Sequence, residues 1–438
     1  MRSFKQILII SMSLVLFSCI GSQNESDKGE DDFNYYVEQF ADLRILRYQV
    51  PGFDTLTLQR KKLIYYLSQA ALCGRDIFFD QNGKYNLAIR KTLENIYETY
   101  SGNRETPEFA EFMVYLKRIW FSNGIYHHYS TDKFIPGFTQ EYFTTLVENA
   151  DKNKFPLRQD QSLKEFVGEI IPVLFDPGVL SKKVCQDPGK DLVTNSAVNF
   201  YAGVSQQQVE SFYDKMKDPL EPRPVSYGLN SKVVSKNGII EEVVWKMDGL
   251  YGEAIEKILF WLQKAQSVTE TKEQSESLSK LIEYYQTGDL TTWDEYNVLW
   301  VKDQNSLVDF INGFIETYDD PLGLKATWES VVNFKDTKAT GRTEILSQNA
   351  QWFEDNSPIA DQFKKKVVKG VTAKVITVVQ LGGECYPATP IGINLPNADW
   401  IRKEYGSKSV TMENIMHAYD QANLKTGFLE EFASDSNE

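Results

Sequence analysis

The spacing of apolar residues predicts a chain built mainly of amphipathic helices. Between about residues 33 and 154, apolar and aromatic residues recur at helical spacing in four segments, the first of which is FNYYVEQFADLRILRY. The fourth segment begins at the favourable cap Thr106-Pro107 and ends at Asn123-Gly124. Further helices are predicted from QSLKEFVGEIIPVLF, YGEAIEKILFWLQKAQS, KEQSESLSKLIEYYQTG, TGRTEILSQNAQWFEDN and TMENIMHAYDQANLKTGFLEEF.

A smaller β component is predicted in three regions, 230–245, 308–318 and 371–395. In the first, two β-rich runs flank Asn237-Gly238, which is a strong hairpin signal. In the third, the run from Val371 to Leu381 reads as a strand and is followed by a loop rich in Gly and Pro. Since no internal repeat is found, the predicted fold class is helix-rich α+β.

Composition and charge narrow the functional classes. With 438 residues, of which 42% are hydrophobic and 25% charged, the chain is long enough for two domains or for one domain with a large insertion. Its 47 basic and 61 acidic residues give a formal charge of −14, which repels phosphate backbones. No nucleic-acid partner is therefore expected, and the short basic cluster from Lys364 to Lys369 is interpreted as a solvated surface.

The first residues have the pattern of a lipoprotein signal peptide. Arg2 and Lys5 precede an apolar stretch that is too short to span a membrane, and LFSC at residues 16–19 resembles a bacterial lipobox, although Phe17 is an unusual occupant. This pattern predicts a signal peptide over residues 1–19 and lipidation at Cys19. The acidic residues 20–34 are interpreted as a tether, which places the protein in the bacterial cell envelope, lipid-anchored at the outer membrane or on the periplasmic face.

The sequence carries few candidates for a metal or nucleophilic centre. The three histidines are His127, His128 and His417, and no HExxH or CxxC motif occurs. His127 and His128 are interpreted as structural, or at most as lining a groove. The remaining cysteines are too widely spaced for a disulfide framework or a zinc ribbon, and no nucleophile elbow or P-loop has the right context; these cysteines are Cys73, Cys185 and Cys385.

Two short stretches suggest a peptide-binding site. In NGFIETYDDPLG, strand spacing would place Glu316 and Tyr318 on one face with Phe314 alongside, and PIGINLPN places Asn394 and Asn397 around a proline. A carboxylate can hold a terminal ammonium, amides can pair with backbone groups, and a strand edge can add ladder bonds to a peptide. The plainer interpretation, polar positions on an exposed strand and in a loop, stays open at this point.

These stretches, together with ADWIRKEYGSKSVTMENIM, resemble the dipeptidyl peptidase III family of zinc metallopeptidases. The N-terminal segment from FADLRILRY onward and YGLNSKVVSKNGIIEEVVW resemble the bacterial members of that family. The resemblance implies two lobes around a wide cleft. The lower lobe would be mixed, with a small β-barrel core, and the upper lobe would be helical and hold the zinc. It also implies an enzyme that removes dipeptides from the free N-terminus of short peptides.

The resemblance assigns a role to each candidate residue. Glu316 would bind the terminal ammonium of the substrate, and Asn394 and Asn397 would hold its first residues. Tyr318 would form a hydrogen bond near the scissile carbonyl and support its developing oxyanion. The lower lobe would comprise residues 35–335 and 375–425, and the upper lobe would begin with residues 336–374 and 426–438.

The sequence departs from the family in one respect. The family's zinc motif, a variant of HExxH with one extra residue between the histidines, is absent, and so is its second acidic motif. We therefore expect the N-terminal portion of such an enzyme, with the upper lobe mostly missing. The zinc would belong to the complete protein, with no ligands in this chain, and this chain alone would not hydrolyse peptides. The alternative is a non-catalytic peptide- or glycan-binding surface lipoprotein. The sequence leaves the oligomeric state open.

Overall fold

Helices dominate the fold, in agreement with the predicted class. The computed structural model describes residues 33–368 and 371–422. The helices are α1 (Leu58–Cys73), α2 (Arg75–Gln81), α3 (Asn86–Thr99), α4 (Pro107–Ser122), α5 (Gln140–Glu148), α6 (Leu163–Phe175), α7 (Gln206–Asp214), α8 (Gly252–Gln266), α9 (Lys272–Thr287), α10 (Leu290–Lys302), α11 (Thr337–Gln348), α12 (Ala350–Asp355), α13 (Asp399–Tyr405) and α14 (Glu413–Ala422).

The strands form one central sheet and two small ones. They are β1 (Tyr36–Phe40), β2 (Leu43–Leu46), β3 (Tyr201–Ala202), β4 (Ser231–Lys236), β5 (Ile239–Val244), β6 (Val308–Glu316), β7 (Thr327–Lys335), β8 (Val371–Gly383), β9 (Gly392–Leu395) and β10 (Ser407–Met412). The central sheet has the order β6-β7-β8-β10-β9. Only β8 and β10 run parallel in this sheet, and the other neighbours are antiparallel. The small sheets are the hairpin β1-β2 and the sheet β3-β4-β5.

Local sequence signals explain several boundaries. The Thr106 hydroxyl accepts the backbone N–H of Phe109, and the Pro at the next position opens α4. The helix ends where Asn123 adopts a left-handed conformation with φ 52°. The predicted hairpin is present as β4 and β5, with Asn237 and Gly238 both at positive φ between the strands.

The structure corrects the first predicted helix. Residues 36–46 form the hairpin β1-β2, in which Tyr36 pairs with Leu46 and Phe40 with Leu43. Aromatic and β-branched residues in this segment favour pairing, and the apolar spacing alone does not distinguish the hairpin from a helix. Several other elements are not predicted from the sequence, among them the strands β7 and β10 and the helices α7, α10 and α13.

The core is divided between two large clusters of buried side chains. The larger one packs α1 and α8–α10 against the central sheet and includes the fully buried Trp245 and Trp328. The second lies among helices α3–α6 and is rich in phenylalanine. Residues at the end of α4 and in the loop after it line one cavity together with residues of the central sheet near the end of β6.

The resemblance also implies a small β-barrel core and two lobes. In the ranges that the structure describes, the edge strands β6 and β9 do not pair, and the small β-barrel core stays a prediction. The predicted lobe boundaries stay a prediction. Residues 1–32, with the predicted signal peptide and Cys19, lie outside the described residues. None of the helices described is both long and apolar enough to cross a membrane.

Candidate peptide-binding site

All four predicted site residues line one cavity. It has a volume of about 720 Å³ and lies at the end of the central sheet where β6 ends, beside the C-terminal end of α4. We call it the peptide cavity. Glu316, Tyr318, Asn394 and Asn397 contribute to its wall, although the two stretches that carry them are about 80 residues apart in the chain. Its other polar lining residues include Asn82, Ser122, Asn123, His128, Thr131, Lys183, Asp319, Glu329, Glu384 and Arg402.

Glu316 is placed by the end of β6. The pairing of β6 with β7 shifts between Phe314 and Glu316, so Ile315 is the extra residue of a bulge. Phe314 is consequently buried against Trp245, with ring centroids 4.8 Å apart, and Glu316 turns into the peptide cavity. Burial raises the pKa of the Glu316 carboxyl, whereas its hydrogen bond with Asn397 and the nearby Arg402 lower it.

The end of β9 and the turn that follows it carry the two asparagines: Asn394 lies in the strand and Asn397 in the turn. Asn397 Nδ2 donates to Glu316 Oε2 at 3.3 Å and to the Ile315 carbonyl at 3.2 Å, which joins the turn to the end of β6. Arg402, on α13, braces the same turn. Its Nε donates to the Pro396 carbonyl and its Nη2 to the Asn394 carbonyl, each at 2.6 Å.

The position of Tyr318 contradicts the prediction that Glu316 and Tyr318 lie on one face of a strand. The strand ends at Glu316, and Tyr318 stands in the turn that follows, with 82% of its surface exposed. Phe314 does not accompany Glu316 either, because the bulge directs it into the core. The two predicted residues do meet at one cavity, but through a bulge and a turn instead of through strand alternation.

The floor of the peptide cavity is acidic, which the sequence does not predict. Glu329, from β7, is 4% exposed, and its Oε1 has no hydrogen-bond partner among the described residues. Burial, then the neighbouring Glu316, raises the pKa of Glu329 to about 8. Burial, followed by the charge of Asp319, raises the pKa of Glu384 well above its ordinary value. Lys183 offsets part of this charge through a 2.7 Å ion pair with Asp319.

No sequence motif marks these residues. Glu329 lies on β7, a strand that the sequence pattern does not predict, and Glu384 lies in a loop whose path depends on Gly383. That glycine has φ +68°, and a Cβ there would lie 2.0 Å from the Trp328 carbonyl oxygen. The tight turn lets the Glu384 backbone N–H donate to the same carbonyl at 3.1 Å.

One of the two adjacent histidines, His128, forms part of the cavity wall, which is the groove-lining interpretation. The rings of His127 and His128 are stacked with centroids 4.4 Å apart, and His128 lines the cavity. Burial, with His127 beside it, lowers the pKa of His128 to about 4, so its imidazole is neutral at physiological pH. His127 Nδ1 accepts the backbone N–H groups of Tyr129 and Ser130, both at 3.1 Å.

The residues that the structure describes do not fit a catalytic zinc. Across residues 33–368 and 371–422, no group of three or more His, Cys, Asp or Glu side chains is arranged to hold a metal ion. A catalytic zinc takes three protein ligands and keeps a fourth position open. The cysteines Cys73, Cys185 and Cys385 are free thiols, and the last two are buried.

Comparisons with known proteins place the fold and the family. Residues 229–437 match the model of Peptidase family M49. The chain is 23% identical to dipeptidyl peptidase 3 of Dictyostelium discoideum over 393 residues, which cover 84% of this chain and 54% of that protein. It is 22% identical to the human dipeptidyl peptidase 3 over 88% of this chain and 56% of that protein.

A solved structure shows the same fold. The dipeptidyl peptidase III of Caldithrix abyssi superposes with a TM-score of 0.60 at 18% identity, over 85% of this chain and 58% of that one. The chain thus spans about half the length of the curated relatives that it matches. The family model, the relatives and the fold together support placing residues 229–437 in the dipeptidyl peptidase III family, peptidase family M49.

Proposed function

We propose that this chain is the peptide-binding portion of a zinc-dependent dipeptidyl peptidase that removes dipeptides from the free N-terminus of short peptides. The observation that carries the proposal is the convergence of Glu316, Tyr318, Asn394 and Asn397 on one cavity. Membership of the M49 family supports the reaction class. The relatives named as dipeptidyl peptidases are longer, so the activity of the complete protein is part of the proposal.

Glu316 provides the grip for the substrate's ammonium group. Its carboxylate lies at the cavity wall, and the amide of Asn397 donates to one of the carboxylate oxygens. A charge-assisted hydrogen bond between carboxylate and ammonium is stronger than a neutral one. Fixing the amine at a set position determines which peptide bond reaches the reacting centre.

The remaining contacts act on the peptide backbone. β9 is an edge strand of the central sheet, and three of its residues line the cavity: Gly392, Ile393 and Asn394. An extended peptide laid beside this edge would gain ladder hydrogen bonds, and the Asn394 amide would hold its first residues. The exposed Tyr318 phenol would donate a hydrogen bond to the scissile carbonyl and support its developing negative charge.

We propose that the chain by itself binds peptides and does not cleave them. The zinc that the family implies has no fitting ligand set among the described residues, so no step of hydrolysis is assigned to them. The grip and the metal would then be contributed by different parts of the complete enzyme.

Titration calorimetry with the full chain tests the grip. A tetrapeptide with a free N-terminus should bind, and its N-acetylated form should bind at least about tenfold more weakly, because acetylation removes the ammonium that Glu316 holds. An oligosaccharide of similar size is titrated in parallel to test the alternative function, glycan binding. Tighter binding of the oligosaccharide than of the peptide would reject the proposal.

A hydrolysis assay tests the proposal that the chain by itself does not cleave peptides. The chain, supplied with zinc and a dipeptidyl arylamide, is expected to release no arylamine above the metal-only background. Robust turnover would show that this chain assembles its own metal centre. It would contradict the proposal that the grip and the metal come from different parts of the complete enzyme.

We also propose that the protein is lipid-anchored in a bacterial envelope through Cys19. The proposal rests on the sequence pattern of residues 1–19. Metabolic labelling with an alkyne fatty acid should mark the wild-type chain and leave Cys19→Ser unlabelled. Equal labelling of both would rule out this anchor.

A further inference from the structure

A second cavity, with a volume of about 440 Å³, adjoins the peptide cavity. We call it the side chamber. Its walls come from the hairpin β1-β2, the second half of α4, the segment 386–389 and α14. Five residues line both cavities, so the two spaces are neighbours across a largely aromatic neck: Phe121, His128, Tyr129, Tyr386 and Ala388.

One stretch of chain connects the two cavities. Asn394, Ile393 and Gly392 line the peptide cavity, and residues 386–389 line the side chamber. The neck is fixed to α4, because Asn123 Nδ2 donates to the Tyr386 carbonyl at 2.7 Å. A peptide that starts at Glu316 and follows this stretch would therefore direct its C-terminal end toward the side chamber.

The side chamber is lined by more positive than negative charge. Arg44, Arg47 and Lys117 stand against one carboxylate, Glu38, which leaves an excess of two positive charges in a chain of formal charge −14. Lys117 is neutralised locally, because its Nζ lies 2.6 Å from Glu38 Oε2. The two arginines have no such carboxylate within ion-pair distance in the part of the chain that the structure describes.

Both guanidinium groups retain donors. Arg44 Nη1 donates to the Ala422 carbonyl at 3.2 Å. Arg47 donates through Nε and Nη2 to the Asn34 carbonyl at 3.0 and 2.7 Å. A guanidinium carries five N–H donors in a planar fork that matches a carboxylate, so each arginine still has donors for an anion.

We propose that the side chamber binds the C-terminal carboxylate of the short peptide whose ammonium Glu316 holds. The inference rests on the proposed function, since it names the substrate class of that site more closely. The ammonium is recognised in the peptide cavity, and the carboxylate by Arg44 and Arg47 beyond the neck. The pair of cavities thus selects free short peptides, which carry both terminal charges, over the N-terminus of a folded protein.

Calorimetry of the full chain with C-terminal variants of one peptide tests this inference. Alanine tetrapeptide and pentapeptide are compared as free acids and as C-terminal amides. For the better-binding length, the amide is expected to bind about three- to fivefold more weakly, as for a solvent-accessible ion pair. In R44Q/R47Q, both forms should bind with the affinity that the amide shows for the wild type.

Matched variants separate a contact from a structural effect. R158Q removes a guanidinium that pairs with Glu169 and lines neither cavity, so it should keep the preference for the free acid. R44Q alone leaves the bonds of Arg47 to Asn34 in place and should remove part of the preference. Far-UV circular dichroism confirms that each variant is folded.

The failures of the two proposals are distinguishable. If acid and amide bind the wild type equally while N-acetylation still weakens binding, the side chamber proposal is wrong and the ammonium grip stands. If R44Q/R47Q weakens both forms by the same factor, the arginines shape the chamber without contacting the carboxylate, and the proposal is also wrong. If no form binds, both proposals fall.

Discussion

At the scale of single residues, the burial of Glu316 determines the pH range in which it can bind an ammonium group as proposed. Its pKa lies above the ordinary value of 4.5 because burial disfavours its charged form. Ammonium binding needs the ionised carboxylate, so peptide affinity should rise as pH increases through that raised pKa. It should fall again near pH 8, where the peptide's amine, with a pKa of about 7.7–8.0, loses its proton. Calorimetry over this range measures both limbs.

Glu316→Gln should lower peptide affinity by about 10- to 100-fold near pH 6.5, because a hydrogen bond to a charged group is lost. The variant should also lose the acid limb of the profile. The matched control is Glu253→Gln, an exposed glutamate in the first turn of α8, which should leave affinity unchanged. An acid limb that persists unchanged in E316Q would assign that limb to another group.

Glu329 gives a stability prediction of the opposite kind. Its pKa is raised to about 8 in the folded chain, so ionisation opposes folding. The contribution of Glu329 to the free energy of unfolding of the wild type should therefore be fully present at acidic pH. It should decline as the pH rises from the ordinary carboxyl range to about 8. Glu329→Gln cannot ionise at this position, and its melting temperature should exceed that of the wild type at pH 9.

Thermal unfolding followed by circular dichroism at pH 5 and pH 9 checks this prediction. The difference between variant and wild type should be small at pH 5 and favour the variant at pH 9. A parallel pH dependence in the two proteins would show that Glu329 is not the group responsible.

At the scale of elements, the turn between β9 and α13 decides the geometry of the grip. Arg402 reaches the carbonyl of Asn394 in β9 and that of Pro396 in the turn with two different nitrogens, which a lysine ammonium cannot reproduce from one position. Arg402→Lys should therefore lower peptide affinity about fivefold and increase hydrogen exchange at the backbone amides of Asn394, Leu395 and Asn397. Lys403→Arg, on the exposed side of the same helix, is the control.

A loss of affinity without faster exchange at 394–397 would mean that Arg402 contacts the ligand directly. Faster exchange with unchanged affinity would mean that the turn's order is not needed for binding. Either result contradicts a positioning role.

Elements are predictable where the signal is local. The Thr106 cap, the Asn237-Gly238 turn and the strand after Leu307 all follow from a few neighbouring residues, and the structure has them. The strand β7 does not follow in this way, although eight of its nine residues are buried. A strand covered on both faces lacks the alternation that marks a half-exposed strand, so its identity depends on the partners β6 and β8.

At the scale of the whole molecule, an apolar surface on α11, α12 and the following turn is exposed. Among its residues, Phe363 is 71% exposed, Ile345 64% and Trp352 59%. Contiguous exposed apolar surface favours association. The chain should therefore self-associate at micromolar concentration, and W352Q/F363Q should shift sedimentation toward the monomer without lowering the melting temperature.

Leu220→Gln is the control for this surface, because Leu220 is 88% exposed and belongs to a different part of the chain. It should leave the sedimentation profile unchanged. A wild-type chain that sediments as a monomer at all concentrations would show that this surface does not drive association.

The helix-rich class, most of the helices and the hairpin at Asn237-Gly238 can be read from the sequence alone, because they depend on short-range periodicity and turn chemistry. The four residues proposed for the grip come from a resemblance carried by short motifs, and their roles stay a prediction. Other features exist only in the folded chain: Glu316 and Asn397 touch, Phe314 turns inward, and Glu329, Glu384 and the side chamber lie beside the grip. These arrangements depend on a β-bulge and on contacts between segments far apart in the chain. No local pattern encodes them, because their free energy arises only when distant segments pack together.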